Sequence, residues 1–234
     1  SIVEHIAVGG IISGLVLRYF YLQQQLHQQQ QLQLEVQMQA RFQALQSRIR
    51  PHFLFNSMNI IASLIATDPD AAEKVVEDLS ALFRASLGSS EDIVPLAHEL
   101  DLCERYSHIE QLRLGERLQV NWHKALSSDQ HPVPALCLQP LLENAIYHGI
   151  QPRVEGGTID VTLSDQNGRL SIEIRNPYDE GDTGSRVGHR GNGMALANLE
   201  QRLLSRYGDG ACFSVARDHG MFVVAFSIPC LENA

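Results

Sequence analysis

The most constraining feature of this chain is a proline placed after a long stretch without helix breakers. Residues 23–48 contain neither Gly nor Pro, and Met38, Phe42, Leu45 and Ile49 succeed one another at intervals of 4, 3 and 4. Apolar residues at alternating three- and four-residue spacing form a coiled-coil seam. Gln-rich composition alone would suggest disorder. The seam, extended less regularly by Leu22, Leu26 and Leu34, favours a continuous helix that pairs with a second copy or packs on a helix of its own chain. Pro51 interrupts it; proline removes one backbone hydrogen bond and clashes with the preceding turn, so a kink is expected. The helical pattern resumes through Phe53, Leu54, Met58, Ile61 and Leu64 and stops at Thr67-Asp68-Pro69. A second helix is expected over 70–87, with Ala72, Val75, Val76, Leu79, Leu82 and Phe83 on its apolar face, ended by Gly88-Ser89-Ser90. Two such hairpins would form a dimeric four-helix bundle.

Upstream, Ile6 to Leu17 is an uncharged apolar run, with Arg18 and Tyr19-Phe20-Tyr21 directly after it. It is shorter than the roughly 20 residues a span needs. It reads as the end of a transmembrane helix, with basic and aromatic residues suited to a cytoplasmic interface; a buried core helix is the competing reading. Downstream, the pattern predicts a helix over 96–114, a strand over 118–123 and a helix over 135–150. Strands over 158–163 and 169–175 are joined by Asp165-Gln166-Asn167-Gly168. A Gly-rich loop over 177–193, a helix over 194–207 and a hairpin over 211–217 and 221–228 complete the chain. That order is an α+β layer, with helices on one face of a mainly antiparallel sheet. The expected division is 1–22, the end of the membrane helix; 23–90, coiled coil and helical hairpin; and 91–234, the α+β module.

The formal net charge of −9 argues against broad nucleic-acid binding. Cys103, Cys137, Cys212 and Cys230 form no CxxC pair, so zinc and a disulfide scaffold are disfavoured and buried free thiols are expected.

Three segments carry chemistry. In Arg50-Pro51-His52-Phe53-Leu54-Phe55-Asn56, a His comes just after the kink with an Asn one turn later. Neutral imidazole is a competent phosphoryl acceptor, although a lone His is more often a packing or surface residue. In Leu138-Gln139-Pro140-Leu141-Leu142-Glu143-Asn144-Ala145-Ile146-Tyr147-His148-Gly149, polar residues interrupt an apolar helix, with Asn144 and His148 on one face. One amide oxygen suits Mg²⁺, which keeps waters and phosphate oxygens; a solvated helix edge is the alternative. In Gly188-His189-Arg190-Gly191-Asn192-Gly193, glycines lead into a helix and let backbone N–H groups approach phosphates, although a glycine motif alone is weak.

Taken together, in this order, the segments resemble the LytS-type sensor histidine kinases, whose ATPase domain belongs to the gyrase–Hsp90–histidine-kinase–MutL superfamily. The resemblance covers roughly residues 40–228. His-Phe-Leu-Phe-Asn at 52–56 matches the phosphoacceptor box, 138–149 the N box, and Gly191-x-Gly193-x-Ala195-Leu196-x-Asn198 with Arg202 the second glycine box. His98-Glu99-Leu100 through Ile109-Glu110 and Arg113 resembles the connecting helix. The AlgZ (FimS) sensors look like the nearest subgroup, through Asn176-Pro177 and Gly-Asn-Gly.

The resemblance implies a helical hairpin forming a dimeric bundle, then a histidine-kinase-type ATPase α/β sandwich (Bergerat fold). It implies autophosphorylation of His52 by ATP and transfer to a response regulator, of the LytTR type by family likeness. Mg²⁺ would lie near Asn144, and Glu143 would orient or polarise the nucleophile. Gly191, Gly193 and Arg202 would hold phosphates, His148 and Asn198 would line the nucleotide site, and 177–192 would be the lid. The protein would be a homodimer, anchored in the cytoplasmic (inner) membrane with its catalytic part in the cytoplasm. Two departures stand out. Phe53 replaces the acidic residue found after the acceptor in most histidine kinases, as it does in the LytS type. Asn176 stands near the Asp that accepts the adenine amino hydrogen bond, so a degenerate kinase acting as a scaffold or phosphatase is the alternative.

Overall fold

The computed structural model describes residue 18 and residues 23–25, 51–88, 92–178 and 189–230. The apolar run at 6–17, the seam at 38–49 with the N-terminal side of the kink, and most of the expected lid lie outside the described residues. Contacts divide the chain into Ser1–Arg50 and Pro51–Ala234. In the first unit, Arg18 and residues 23–25 are helical. Among the described residues, no helix is long and apolar enough to cross a membrane.

The second unit opens with a helical hairpin, α1 (Pro51–Leu64) and α2 (Pro69–Leu87). α2 begins on Pro69, where the missing N–H costs nothing. Asp68 caps α2 by accepting from the Ala71 N–H at 3.0 Å. The hairpin and the α+β module both fall within the unit Pro51–Ala234. Helix α3 (Leu96–Leu114) carries the hairpin: the Phe53 ring lies 4.8 Å from Tyr106, and Val75, Leu79 and Leu82 are buried.

Two short strands, β1 (Ile93–Pro95) and β3 (Pro132–Pro134), pair with each other beside the main sheet. The main sheet is built from β2 (Leu118–Ala125), β4 (Gly157–Gln166), β5 (Arg169–Pro177), β6 (Cys212–Asp218) and β7 (Met221–Pro229), in the order β2-β4-β5-β7-β6. β2 pairs with β4 in parallel, and the other pairs are antiparallel. Positive φ at Asn167 (54°) and Gly168 (70°) makes the β4–β5 turn one that matches strand twist. Alternation sends Ile159, Val161 and Leu163, then Leu170, Ile172 and Ile174, then Val224, Phe226 and Ile228 into the core. Each such side chain contributes about 1.5–3 kcal/mol on full burial. Helices α3, α4 (Gln139–Ala145) and α5 (His189–Tyr207) cover that face with Leu142, Ile146, Leu199 and Leu203.

Several local expectations change. The helix expected from residue 135 begins only at Gln139. Pro132–Pro134 are held as a strand against β1, and Leu136 has φ of 55°, which no α-helix accommodates. Beyond Ala145 the helix widens into a π turn over Ile146–Ile150, with Gln151 N–H donating to Ile146 O at 2.9 Å. α5 is already helical at His189, five residues before the expected 194. Val76, expected on the apolar face of α2, is exposed in the single chain. Cys103 and Cys137 are buried and burial pushes their thiols well above the ordinary range, but Cys212 is exposed rather than buried.

Candidate functional site

α4 and its π turn lie against β5, and that junction brings the predicted residues together. Asn144 is 3% exposed, and its Oδ1 has no hydrogen-bond partner among the described atoms. A buried polar atom left unmade costs about 1–3 kcal/mol. A hard amide oxygen in that state fits a cation such as Mg²⁺ as one ligand. Among the described residues, no group of three His, Cys, Asp or Glu side chains is placed to hold a metal ion by itself. Glu143 accepts from Gln139 Nε2 at 2.8 Å, which fixes its carboxylate beside Asn144. His148 lies in the π turn with the Tyr147 ring edge-on at 4.6 Å; π turns recur at functional sites.

Gly149 explains the close approach of the π turn to β5. A Cβ there would meet Asn176 Nδ2 at 2.3 Å and Cγ at 2.8 Å. Asn176 is buried at the end of β5 and donates from Nδ2 to Pro177 O at 2.9 Å. That donor has a consequence for the Asn-for-Asp difference. A carboxylate in the same position would set an acceptor against the Pro177 carbonyl, whereas the amide satisfies it and keeps an oxygen as acceptor.

The remaining predicted residues fall elsewhere. Gly191 and Gly193 lie within the first two turns of α5 instead of in a loop before it, and Asn198 is exposed on α5. Arg202, on the same helix, donates to Ala135 O at 2.5 Å and Leu136 O at 3.4 Å. His52 stands apart on exposed α1, with the Asn56 amide nitrogen 3.0 Å from its Nδ1. The adjacent Phe53 is buried and anchors that turn to α3.

Two groups escaped the sequence pattern. Buried Glu99 accepts from the Leu136 N–H at 2.6 Å and the Leu138 N–H at 2.9 Å; its place in the connecting-helix motif was the available signal. Asp78, 1% exposed on α2, accepts from Lys74 (2.8 Å) and Arg105 (2.9 Å) and pairs with His108 (2.7 Å). Its position between Val75 and Leu82 on the apolar stripe was the signal there.

Known proteins are similar to this chain in sequence. The histidine kinase family matches residues 40–118. The chain is 34% identical over 197 residues to the sensor histidine kinase BtsS of Escherichia coli (strain K12), covering 84% of this chain and 34% of that protein. It is 33% identical over 187 residues to the sensor protein LytS of Staphylococcus haemolyticus (strain JCSC1435), covering 74% and 31%. The chain thus spans about a third of the length of these curated relatives. Among solved structures, the histidine kinase domain of the Erythrobacter litoralis EL346 blue-light activated kinase is 21% identical, covering 80% of this chain and 89% of that one, with a TM-score of 0.43.

Proposed function

We propose that this chain is a LytS-type sensor histidine kinase, as its likeness to the LytS sensor proteins and to the histidine kinase family supports, and that it accepts the γ-phosphoryl group of ATP on His52 and passes it to a response regulator. The observation that carries the nucleotide half is the unpartnered, buried Asn144 Oδ1 beside the Gly149–Asn176 contact.

The work is divided among the chain's residues. Asn176 accepts from the adenine amino group through its amide oxygen. Asn144 holds the cation, and Glu143 orients the reacting groups. His148 and Asn198 line the nucleotide site. Gly191 and Gly193 let backbone N–H groups at the start of α5 approach the phosphates. Bound Mg²⁺ supplies charge neutralisation to those phosphates. The Asn56 amide nitrogen lies 3.0 Å from His52 Nδ1; a half turn of that amide puts its oxygen on Nδ1–H, the tautomer whose Nε2 lone pair is free. The Nε2–P bond then forms as the bond from the γ-phosphorus to the bridging oxygen breaks, and ADP leaves. Catalysis is mainly positioning and charge neutralisation.

Phe55 (69% exposed), Met58, Ile65 and Val76 leave apolar surface on the hairpin, which supports pairing with a second copy into a four-helix bundle. The apolar run at 6–17 supports anchoring in the cytoplasmic membrane, and the family supports a LytTR-type response regulator as partner. A scaffold or phosphatase without ATP binding is the second reading, favoured by Asn176 in place of an acid. Calorimetric titration with ATP separates the two: saturable, Mg²⁺-dependent binding supports the kinase, and absence of binding supports the scaffold.

A further inference from the structure

Leu136 is the point where three parts of the ATPase module meet. Its φ of 55° is a left-handed conformation that a branched side chain rarely adopts. Two side chains hold it from opposite directions. Glu99, on α3, is 0% exposed and takes the N–H groups of Leu136 and Leu138 on its two carboxyl oxygens. Arg202, on α5, holds the carbonyls of Ala135 and Leu136. Leu138 is the N-cap of α4 and has no side-chain cap of its own, so Glu99 supplies the cap from another helix. Asn144 lies on α4 just beyond. α5 carries the glycines, and α3 carries Tyr106 against Phe53, next to His52.

We propose that Glu99 and Arg202 are positioning residues of the nucleotide site: by clamping Leu136 they fix the start of α4 and so the place at which Asn144 meets Mg²⁺. The clamp ties the glycine-bearing helix, the cation-binding helix and the helix under His52 to a single strained peptide. This rests on Asn144 being the cation ligand. Glu99→Gln retains the volume but has one acceptor oxygen, so one of the two N–H groups faces an amide NH₂ instead. Arg202→Met removes the opposite half of the clamp from a half-exposed position. Leu136→Gly permits the left-handed conformation without a clamp.

The test is calorimetric binding of ADP to the whole chain, with Mg²⁺ and with a chelator, alongside thermal unfolding. Wild type should bind more tightly with Mg²⁺. Glu99→Gln and Arg202→Met should each lose most of that gain, raising the Mg²⁺ requirement about tenfold or more, with a clearly smaller loss of affinity in chelator. Adding Leu136→Gly to Glu99→Gln should restore a substantial part of the gain. If Glu99→Gln does not fold, Arg202→Met decides. The clamp is overturned if Arg202→Met keeps the full Mg²⁺ gain, if affinity falls equally with and without Mg²⁺, or if Leu136→Gly rescues nothing. Wild type that binds ADP equally with and without Mg²⁺ would remove the Asn144 assignment and the clamp together. Normal wild-type behaviour with unaffected variants would remove the clamp alone.

Discussion

Asp78→Asn probes the junction between the hairpin that carries His52 and the module that would bind nucleotide. Asp78 is almost fully buried and receives Lys74, Arg105 and His108, the last two from α3. Removing one member of a buried ion pair costs about 3–5 kcal/mol. The partners are less buried, Lys74 at 50% and Arg105 at 27% exposure, so water recovers part of their solvation and about 2 kcal/mol remains. For a unit of this size each kcal/mol moves Tm by about 2–4 °C, so a fall of about 4–8 °C is expected at pH 7. Burial alone would raise the Asp78 pKa, but the hydrogen bonds from Lys74 and His108 outweigh it and hold the carboxyl below its ordinary value. Its stabilisation is therefore complete above the unfolded pKa, about 4, and is lost as pH falls through the lower folded value. The gap in Tm between wild type and Asp78→Asn, read by circular dichroism, should shrink below about pH 4. No gap at pH 7, or a gap as wide in acid, would refute the reasoning.

Two substitutions probe the π turn. Gly149→Ala drives a Cβ into the Asn176 amide; overpacking of this kind costs about 1–3 kcal/mol, and calorimetry should show weaker ATP binding together with a lower Tm. Asn176→Asp, although closer to the wider kinase pattern, should lower Tm and fail to tighten ATP binding, because the carboxylate faces the Pro177 carbonyl that Nδ2 now satisfies. Tighter binding in that variant would show that charge at the adenine matters more than the local hydrogen bond.

Features written in local pattern were legible in the sequence. The Asp68-Pro69 pair and Gly88 bound α2, and the alternating runs give the antiparallel strands. Contacts between distant residues were not legible. The late start of α4 depends on three-residue strands rich in proline and on a clamp supplied by α3 and α5. The π turn depends on Gly149 meeting Asn176 across elements. Among the site residues, Glu143, Asn144 and His148 stood out because polar residues interrupt an apolar helix. Glu99 did not, because its partners are backbone N–H groups that carry no sequence signature. Arg202 was visible as a charge, but its carbonyl partners were not.

The measurement closest to the central claim is incubation of the chain with γ-labelled ATP and Mg²⁺, then acid and alkali treatment. The account predicts label that is acid-labile and alkali-stable, absent from His52→Gln and abolished or strongly reduced in Asn144→Ala. Label that persists in His52→Gln would contradict it, as would wild type that binds ATP but never becomes labelled even under conditions that promote the dimer.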